Sequence, residues 1–490
     1  MPMQNGKRSV GALASAAVAV LVLWAFLVGR AAAQSVSLFP PQVMQYVRVL
    51  APVVALEHVR VIDGTGAVPV DNQTIVIAHR KIVSVGPAGS TNVPANAKIV
   101  DLSGYSVIPG LVGMHDHMFY PSGRVPVYNE LAYSFPKLYL AAGVTTIRTT
   151  GSIEPYADLE LKREIDSGLT VGPKMNVTGP YLEGSGAFTP QMHILTGRDD
   201  ATRMVDYWAD EGVTSFKAYM NITPAELRAA IDAAHKHGLK ITGHLCSIGF
   251  TQAADLGIDD LEHGLVVDTE FNPGHVPGVC NNSQTFATVA KLDLNSAPVQ
   301  AMIRDLIGRH VAVTSTLPVF ETFVPNRPPL ERRVLDALLP QAQIDYLSVR
   351  ARMAAGARGE IAAESFKKEM EFERMFVKEG GLLLAGEDPT GYGGDLAGFG
   401  DQREIELLVE AGFTPIEALR IGSYNGAKFL GESETIGTIA AGKAADLAVI
   451  HGDPSKNIND IEKIEIVFKD GVGYDSAKLI DAVRGQVGLH

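Results

Sequence analysis

Two histidines stand one residue apart in Gly113-Met114-His115-Asp116-His117. On an extended strand alternate side chains share a face, so His115 and His117 project the same way and can chelate one metal ion. A pair of ordinary half-exposed histidines would look the same, but the company of this pair argues for a site. Thr242-Gly243-His244-Leu245, Leu261-Glu262-His263-Gly264, Ala385-Gly386-Glu387-Asp388-Pro389 and Ser215-Phe216-Lys217-Ala218-Tyr219 each close a short apolar run. The chain has 13 histidines; His115, His117, His244 and His263 all fall at such run ends, joined there by an aspartate and a lysine. Chance placement accounts poorly for that set. Imidazoles and carboxylates ligate divalent cations, and a cation so held can turn water into a nucleophile.

These run ends need a scaffold that brings them together. Strands are expected at Val107–Gly113, Val144–Thr149, Lys174–Tyr181, Thr214–Tyr219, Lys240–Leu245, Asp260–Glu262, Val311–Leu317 and Gly381–Gly386, with helical patterns such as Ala225–His237 and Pro415–Phe429 between them. Eight strands alternating with helices predict an α/β fold, a (β/α)8 TIM-type barrel over residues 107–431, whose reactive side chains gather at the C-terminal strand ends. The pieces on either side are β-rich: Ala55–Ile62, Thr74–Ala78 and Lys81–Val85 on one side, Asp446–His451 and Ile464–Lys469 on the other. Neither can close a core alone, so one small β-sandwich built from both chain ends, residues 34–106 and 432–490, is expected.

Residues 1–33 read as an export signal. Lys7 and Arg8 precede an uncharged apolar run, Gly11–Gly29, and Ala31-Ala32-Ala33 offers a cleavage site. An uncleaved membrane anchor is the alternative, and either reading puts the body outside the cytoplasm, periplasmic or secreted. No later stretch is apolar enough to span a bilayer. With 46% apolar residues over 490 positions the chain can bury a core and is not a disordered segment. Its 42 basic against 55 acidic residues, a net charge of −13 and no basic run exclude a nucleic-acid partner. Two cysteines exclude a cysteine-rich zinc module, although Cys246 and Cys280 could form one disulfide in an exported chain.

The stretch Val107-Ile108-Pro109-Gly110-Leu111-Val112-Gly113-Met114-His115-Asp116-His117, together with Gly442-Lys443-Ala444-Ala445-Asp446-Leu447, resembles the metal-dependent amidohydrolase superfamily, nearest its imidazolonepropionase-like and prolidase-like branch. The resemblance runs from about Val53 to Lys478. It implies that His115, His117 and Asp388 hold the more buried of two divalent ions and that His244 and His263 hold the outer one. Lys217, carboxylated by carbon dioxide to a carbamate, would bridge them. Zinc suits that donor set best, with manganese, iron and cobalt as alternatives. Many single-metal deaminases of the superfamily lack this lysine, so Lys217 points to hydrolysis. A lysine merely paired with an acid is the plainer reading. The implied reaction is attack of a metal-bridged hydroxide on an amide or peptide C–N bond of a small-molecule substrate (a dipeptide, an N-acyl amino acid or a cyclic amide), with Asp388 passing the proton to the leaving amine. Lactone or phosphotriester hydrolysis on the same centre is the alternative chemistry, and a non-catalytic scaffold the alternative class. The six filled ligand positions argue against the scaffold. Relatives are often multimeric, which leaves a homo-oligomer open.

Three further residues are candidate substrate contacts. Tyr219 shares the face of Lys217 and could donate to an oxyanion, or simply pack. His193 lies in the loop where prolidase-like relatives place a substrate-contacting histidine, although Glu183-Gly184-Ser185-Gly186-Ala187-Phe188 departs from their pattern. Arg148 could bind a carboxylate, or pair with a neighbouring strand. His235 and His237 are expected on a helix surface, His275 in a solvated loop, and Pro325–Lys368 as a long helical insertion.

Overall fold

The apolar run Val107–Gly113, expected as one strand, serves two sheets. In the computed structural model, which describes residues 39–122, 127–390 and 393–489, Tyr105–Pro109 pairs with strands of the chain ends, while Leu111–Gly113 starts the α/β body. The break falls at Pro109-Gly110. Proline has no N–H to continue a ladder, and a Cβ on Gly110 would sit 2.1 Å from Thr145 Oγ1. The expected signal segment 1–33 lies outside the described residues.

Among the described residues the body has eight parallel strands: β1 (Leu111–Gly113), β2 (Val144–Arg148), β3 (Lys174–Asn176), β4 (Ser215–Ala218), β5 (Lys240–Gly243), β6 (Asp260–Glu262), β7 (Ala312–Ser315) and β8 (Leu383–Ala385). They form two parallel ladders, β3-β2-β1 and β4-β5-β6-β7-β8. Regular pairing stops at two seams. Between β3 and β4 it gives way to single parallel bridges, Thr178 with Ser215 and Leu182 with Ala218. Between β8 and β1, Met114 N–H donates to Ala385 O at 2.8 Å and Asp388 N–H to His115 O at 2.9 Å. The eight strands and intervening helices make a TIM-barrel-like α/β arrangement. Strands β1, β2, β4, β6, β7 and β8 are buried along their whole length, as parallel strands covered by helices must be.

Strands from the two chain ends pair with each other, and hydrogen bonds link their nine strands into one continuous sheet. Alternation divides that sheet's faces. Leu447, Val449, Ile466 and Phe468 join Val54, Leu56, Ile75 and Ile77 in a core of their own, while Ala448, Ile450 and Val467 pack into the large core of the body. Such shared packing joins the two parts through apolar contact.

Two features depart from the sequence reading. The insertion after β7 is three helices, Arg332–Ala337, Pro340–Ala355 and Gly359–Lys378, because Pro340 must open a new helix and Gly356 follows the end of the second. A hairpin, Phe119–Ser122 with Val127–Glu130, follows β1 and was not foreseen. Among the described residues no helix is long and apolar enough to cross a membrane.

Gly110→Val should cost about 1–3 kcal/mol through overpacking against Thr145, read as a lower midpoint of thermal unfolding with little change in far-ultraviolet circular dichroism.

Candidate metal centre

The candidate metal ligands stand at or just beyond the C-terminal ends of their strands: His115 and His117 after β1, Lys217 in β4, His244 after β5, His263 after β6 and Asp388 after β8. Backbone pairing sets their heights, His244 N–H donating to Ala218 O at 3.1 Å and His263 N–H to Thr314 O at 2.8 Å. The side chains converge. His115 Nε2 lies 3.0 Å from Lys217 Nζ and 3.8 Å from Asp388 Oδ1. His117 Nε2 lies 3.3 Å from Asp388 Oδ1. The rings of His115 and His263 are 4.6 Å apart, and those of His263 and His244 4.4 Å.

The outward nitrogens of three imidazoles are committed elsewhere, which leaves the inward ones facing the centre. His117 Nδ1 faces the carbonyls of Thr149 and Gly151 at 3.0 and 3.2 Å. A carbonyl only accepts, so Nδ1 carries the proton and Nε2 presents a lone pair. His115 Nδ1 meets Glu262 Oε2 at 2.7 Å and His263 Nδ1 meets Thr316 Oγ1 at 2.7 Å. His263 Nε2 is buried with no hydrogen-bond partner. A buried, unsatisfied imidazole nitrogen is costly unless something electrophilic takes its lone pair. One donor atom from each of His115, His263 and Asp388 lies within 4.8 Å of the others. The donor set therefore fits a divalent cation, and the Glu262-to-His115 contact has the form of the carboxylate-histidine pairs that back metal ligands.

The electrostatics agree. Burial, aided by Lys217, holds His115 well below the ordinary imidazole range and His244 down to about 3. Burial and the neighbouring His244 do the same to His263. Neutral imidazoles are what a cation needs. Burial lowers Lys217 to about 8. For Asp388 burial pushes upward, but the positive charge that His115, His117 and Lys217 take on in acid outweighs it and keeps the carboxyl well below the usual range. His263 and Asp388 also hold left-handed backbone, at φ 70° and 61°, an uncommon conformation for residues other than glycine and one that clusters at working sites.

Arg148 takes the alternative considered for it and is not a substrate contact. It is 1% exposed and donates to Met114 O at 2.8 Å, Asp260 Oδ2 at 2.7 Å and Glu262 Oε1 at 3.0 Å. Thr242 adds a hydrogen bond to Glu262. Burial, with Glu262 beside it, pushes Asp260 up to about 6 even against that guanidinium. His193 is not brought to the site either: its Nε2 meets Asp200 Oδ2 at 3.0 Å, outside the pocket, because the loop carries it to the start of the helix Arg198–Glu211. His235 and His237 pair with Asp259 and Asp206 on the helix surface. His275 sits against Thr269. Cys246 and Cys280 form a disulfide.

Tyr219 does reach the mouth, its ring 5.0 Å from that of His244 and 4.8 Å from that of Tyr181. With His117, His244 and Asp388 it lines a pocket of about 250 Å³ whose other walls include Phe119, Tyr128, Phe188, Phe320 and Phe323. Most of these aromatics escaped the sequence reading. Phe119 alone carried a signal, since it continues the His115, His117 alternation; its ring stacks on His117 at 4.4 Å.

Residues 106–281 and 379–473, more than half of the chain, match the model of the amidohydrolase family. The chain belongs to that family. A curated imidazolonepropionase from Stenotrophomonas maltophilia is 24% identical over 253 residues, 42% of this chain and 62% of the relative, so under two thirds of that protein's length is matched. Among solved structures, the bottromycin amidohydrolase superposes with a TM-score of 0.68 at 21% identity, over 91% of this chain and 94% of its own. A Xaa-Pro dipeptidase with bound methionine gives 0.63 at 20% identity, over 86% and 100%. At those identities the likeness to the solved structures concerns the fold.

Glu262→Gln should weaken metal affinity about 10–100-fold by loosening His115, measured by metal titration of the apoprotein. Arg148→Met should lower stability by about 3–5 kcal/mol, because Asp260 and Glu262 stay buried without their partner; denaturant unfolding would register it.

Proposed function

We propose that this family member is a metal-dependent hydrolase cleaving an amide-type C–N bond, with two divalent ions held at the strand ends. The buried, partnerless His263 Nε2 converging with His115 and Asp388 carries the reading. His115, His117 and Asp388 suit one ion, His244 and His263 the other, zinc being the best match to these donors. When bound, the ions supply an acidified water and polarise the scissile carbonyl.

The chain's own residues would do the rest. Lys217, buried and lowered to about 8, holds a usable fraction of free amine near neutral pH. That amine can add to carbon dioxide, forming an N–C bond and releasing a proton, and the resulting carbamate offers two anionic oxygens where an ammonium offers none. Asp388, ionised at any working pH, can accept a proton and deliver it to the leaving amine. Tyr219, which lines the pocket, would hydrogen-bond the substrate carbonyl or its developing oxyanion. The aromatic walls favour a substrate with an apolar group beside the scissile bond, such as a dipeptide, an N-acyl amino acid or a cyclic amide.

We also propose that the body, barrel and composite sheet together, works outside the cytoplasm. The Cys246–Cys280 disulfide supports an oxidising location, as does the signal-like start of the chain.

Elemental analysis of wild type beside Lys217→Ala tests the centre. About two ions per wild-type chain, falling in the mutant together with hydrolysis by at least about 100-fold, is the expected result. An unchanged count would remove the bridge. Parallel assays on N-acyl amino acids, dipeptides and lactones decide the bond; turnover of lactones alone would overturn amide cleavage.

A further inference from the structure

A second group of carboxylates adjoins the candidate metal centre and is not used by it. Asp116 stands between His115 and His117, and Glu387 precedes Asp388; Asp401 comes from the first turn of the helix Phe399–Glu410. One oxygen from each of Asp116, Glu387 and Asp401 lies within 4.8 Å of the others. Their exposures are 0%, 0% and 5%. Both oxygens of Asp116, Oε1 of Glu387 and Oδ2 of Asp401 are buried without a hydrogen-bond partner, as is Oδ2 of the neighbouring Asp395. Among the described residues no basic side chain pairs with any of the four. The nearby Arg148 gives its carboxylate contacts to Asp260 and Glu262.

Glycines keep the space for these oxygens. A Cβ on Gly113 would sit 2.1 Å from Asp116 Oδ2, and one on Gly400 would sit 2.1 Å from Asp395 Oδ1 and 2.3 Å from Glu387 Oε2. Ionised carboxylates packed this closely away from water repel one another and lose their hydration. Asp401 N–H gives Glu387 Oε2 a hydrogen bond at 2.9 Å, but the repulsion itself is offset only by protons held within the group or by a cation among them. Oxygens bound to one hard cation lie no further apart than about twice the metal–oxygen distance, roughly 4–5 Å for magnesium to calcium, and the three oxygens fall within that limit.

We propose that Asp116, Glu387 and Asp401 bind a hard divalent cation of magnesium-to-calcium size, in an oxygen-only site distinct from the imidazole-lined centre. The donor chemistry separates the two, since carboxylate-only sites select magnesium, calcium or manganese and imidazole-rich ones suit zinc. The ion would clamp the segment after β1, the segment after β8 and the Phe399–Glu410 helix to one another. Those first two segments aim His115, His117 and Asp388, so the second site would steady the first.

The test uses full-length protein loaded with zinc, then equilibrated with calcium, magnesium or manganese in turn. One additional ion per chain by elemental analysis is expected, with an unfolding midpoint raised by about 5 °C. Asp401→Asn should abolish both effects while zinc content stays at the wild-type level. Should that variant fail to fold, equilibrium dialysis of wild type with radioactive calcium, and Glu387→Gln as a second variant, decide the matter. Wild-type protein that retains none of the three ions and shows no midpoint shift overturns the site, as does undiminished binding in the variants; the carboxylates would then share protons. The zinc count is read in the same samples, so a failure of the imidazole-lined centre is seen separately.

Discussion

The guanidinium of Arg148, set between Asp260 and Glu262 where water does not reach, is the interaction on which the candidate site depends. Two carboxylates buried side by side repel each other and shed hydration, and one well-placed cation offsets both costs only when its hydrogen-bond geometry is good. Here the charge sits at 2.7 and 3.0 Å from the two acids, and the threonines of β5 and β7 take up further oxygens, Thr314 donating to Asp260 at 2.8 Å. Glu262 also accepts a hydrogen bond from His115 Nδ1. The same contact that stabilises the strand ends thus decides which nitrogen of His115 is free to ligate.

From that floor outward, polarity changes sharply. The imidazoles and Asp388 stand at the rim of the strands with their donor atoms inward, while the wall above is built of aromatic rings from the hairpin after β1, from the loop after β3 and from the helix that opens after β7. An apolar wall lowers the local dielectric and strengthens each electrostatic contact within it. It also explains why the loops are long: eight short strands can present ligands, but only their connections can shape a cavity. Left-handed backbone at His263 and Asp388 belongs to the same picture, since turning a side chain sharply inward at a strand end requires a departure from extended geometry.

The candidate donor residues and the strand order were readable in the sequence. Alternation along a strand put His115 and His117 on one face, and run ends picked out Lys217, His244, His263 and Asp388, because period-2 patterning and strand punctuation are local properties. The division of Val107–Gly113 between two sheets was less legible. Nothing in a uniformly apolar run says where it changes partners, and the deciding contact, Gly110 against Thr145, joins residues 35 positions apart. Pairing of the end strands into a single nine-stranded sheet rested on such distant register as well.

Residue types, their spacing and their place at strand ends were determined by the sequence itself, and with them the family and the metal-binding character of the mouth. Which of those residues face the pocket was decided by tertiary structure alone. Arg148 and His193 are as polar as any ligand, yet each found a carboxylate partner elsewhere, at Asp260 with Glu262 and at Asp200. A charged side chain goes where its charge is best compensated, and the compensating groups are set by folding distance, which the linear order of residues does not encode.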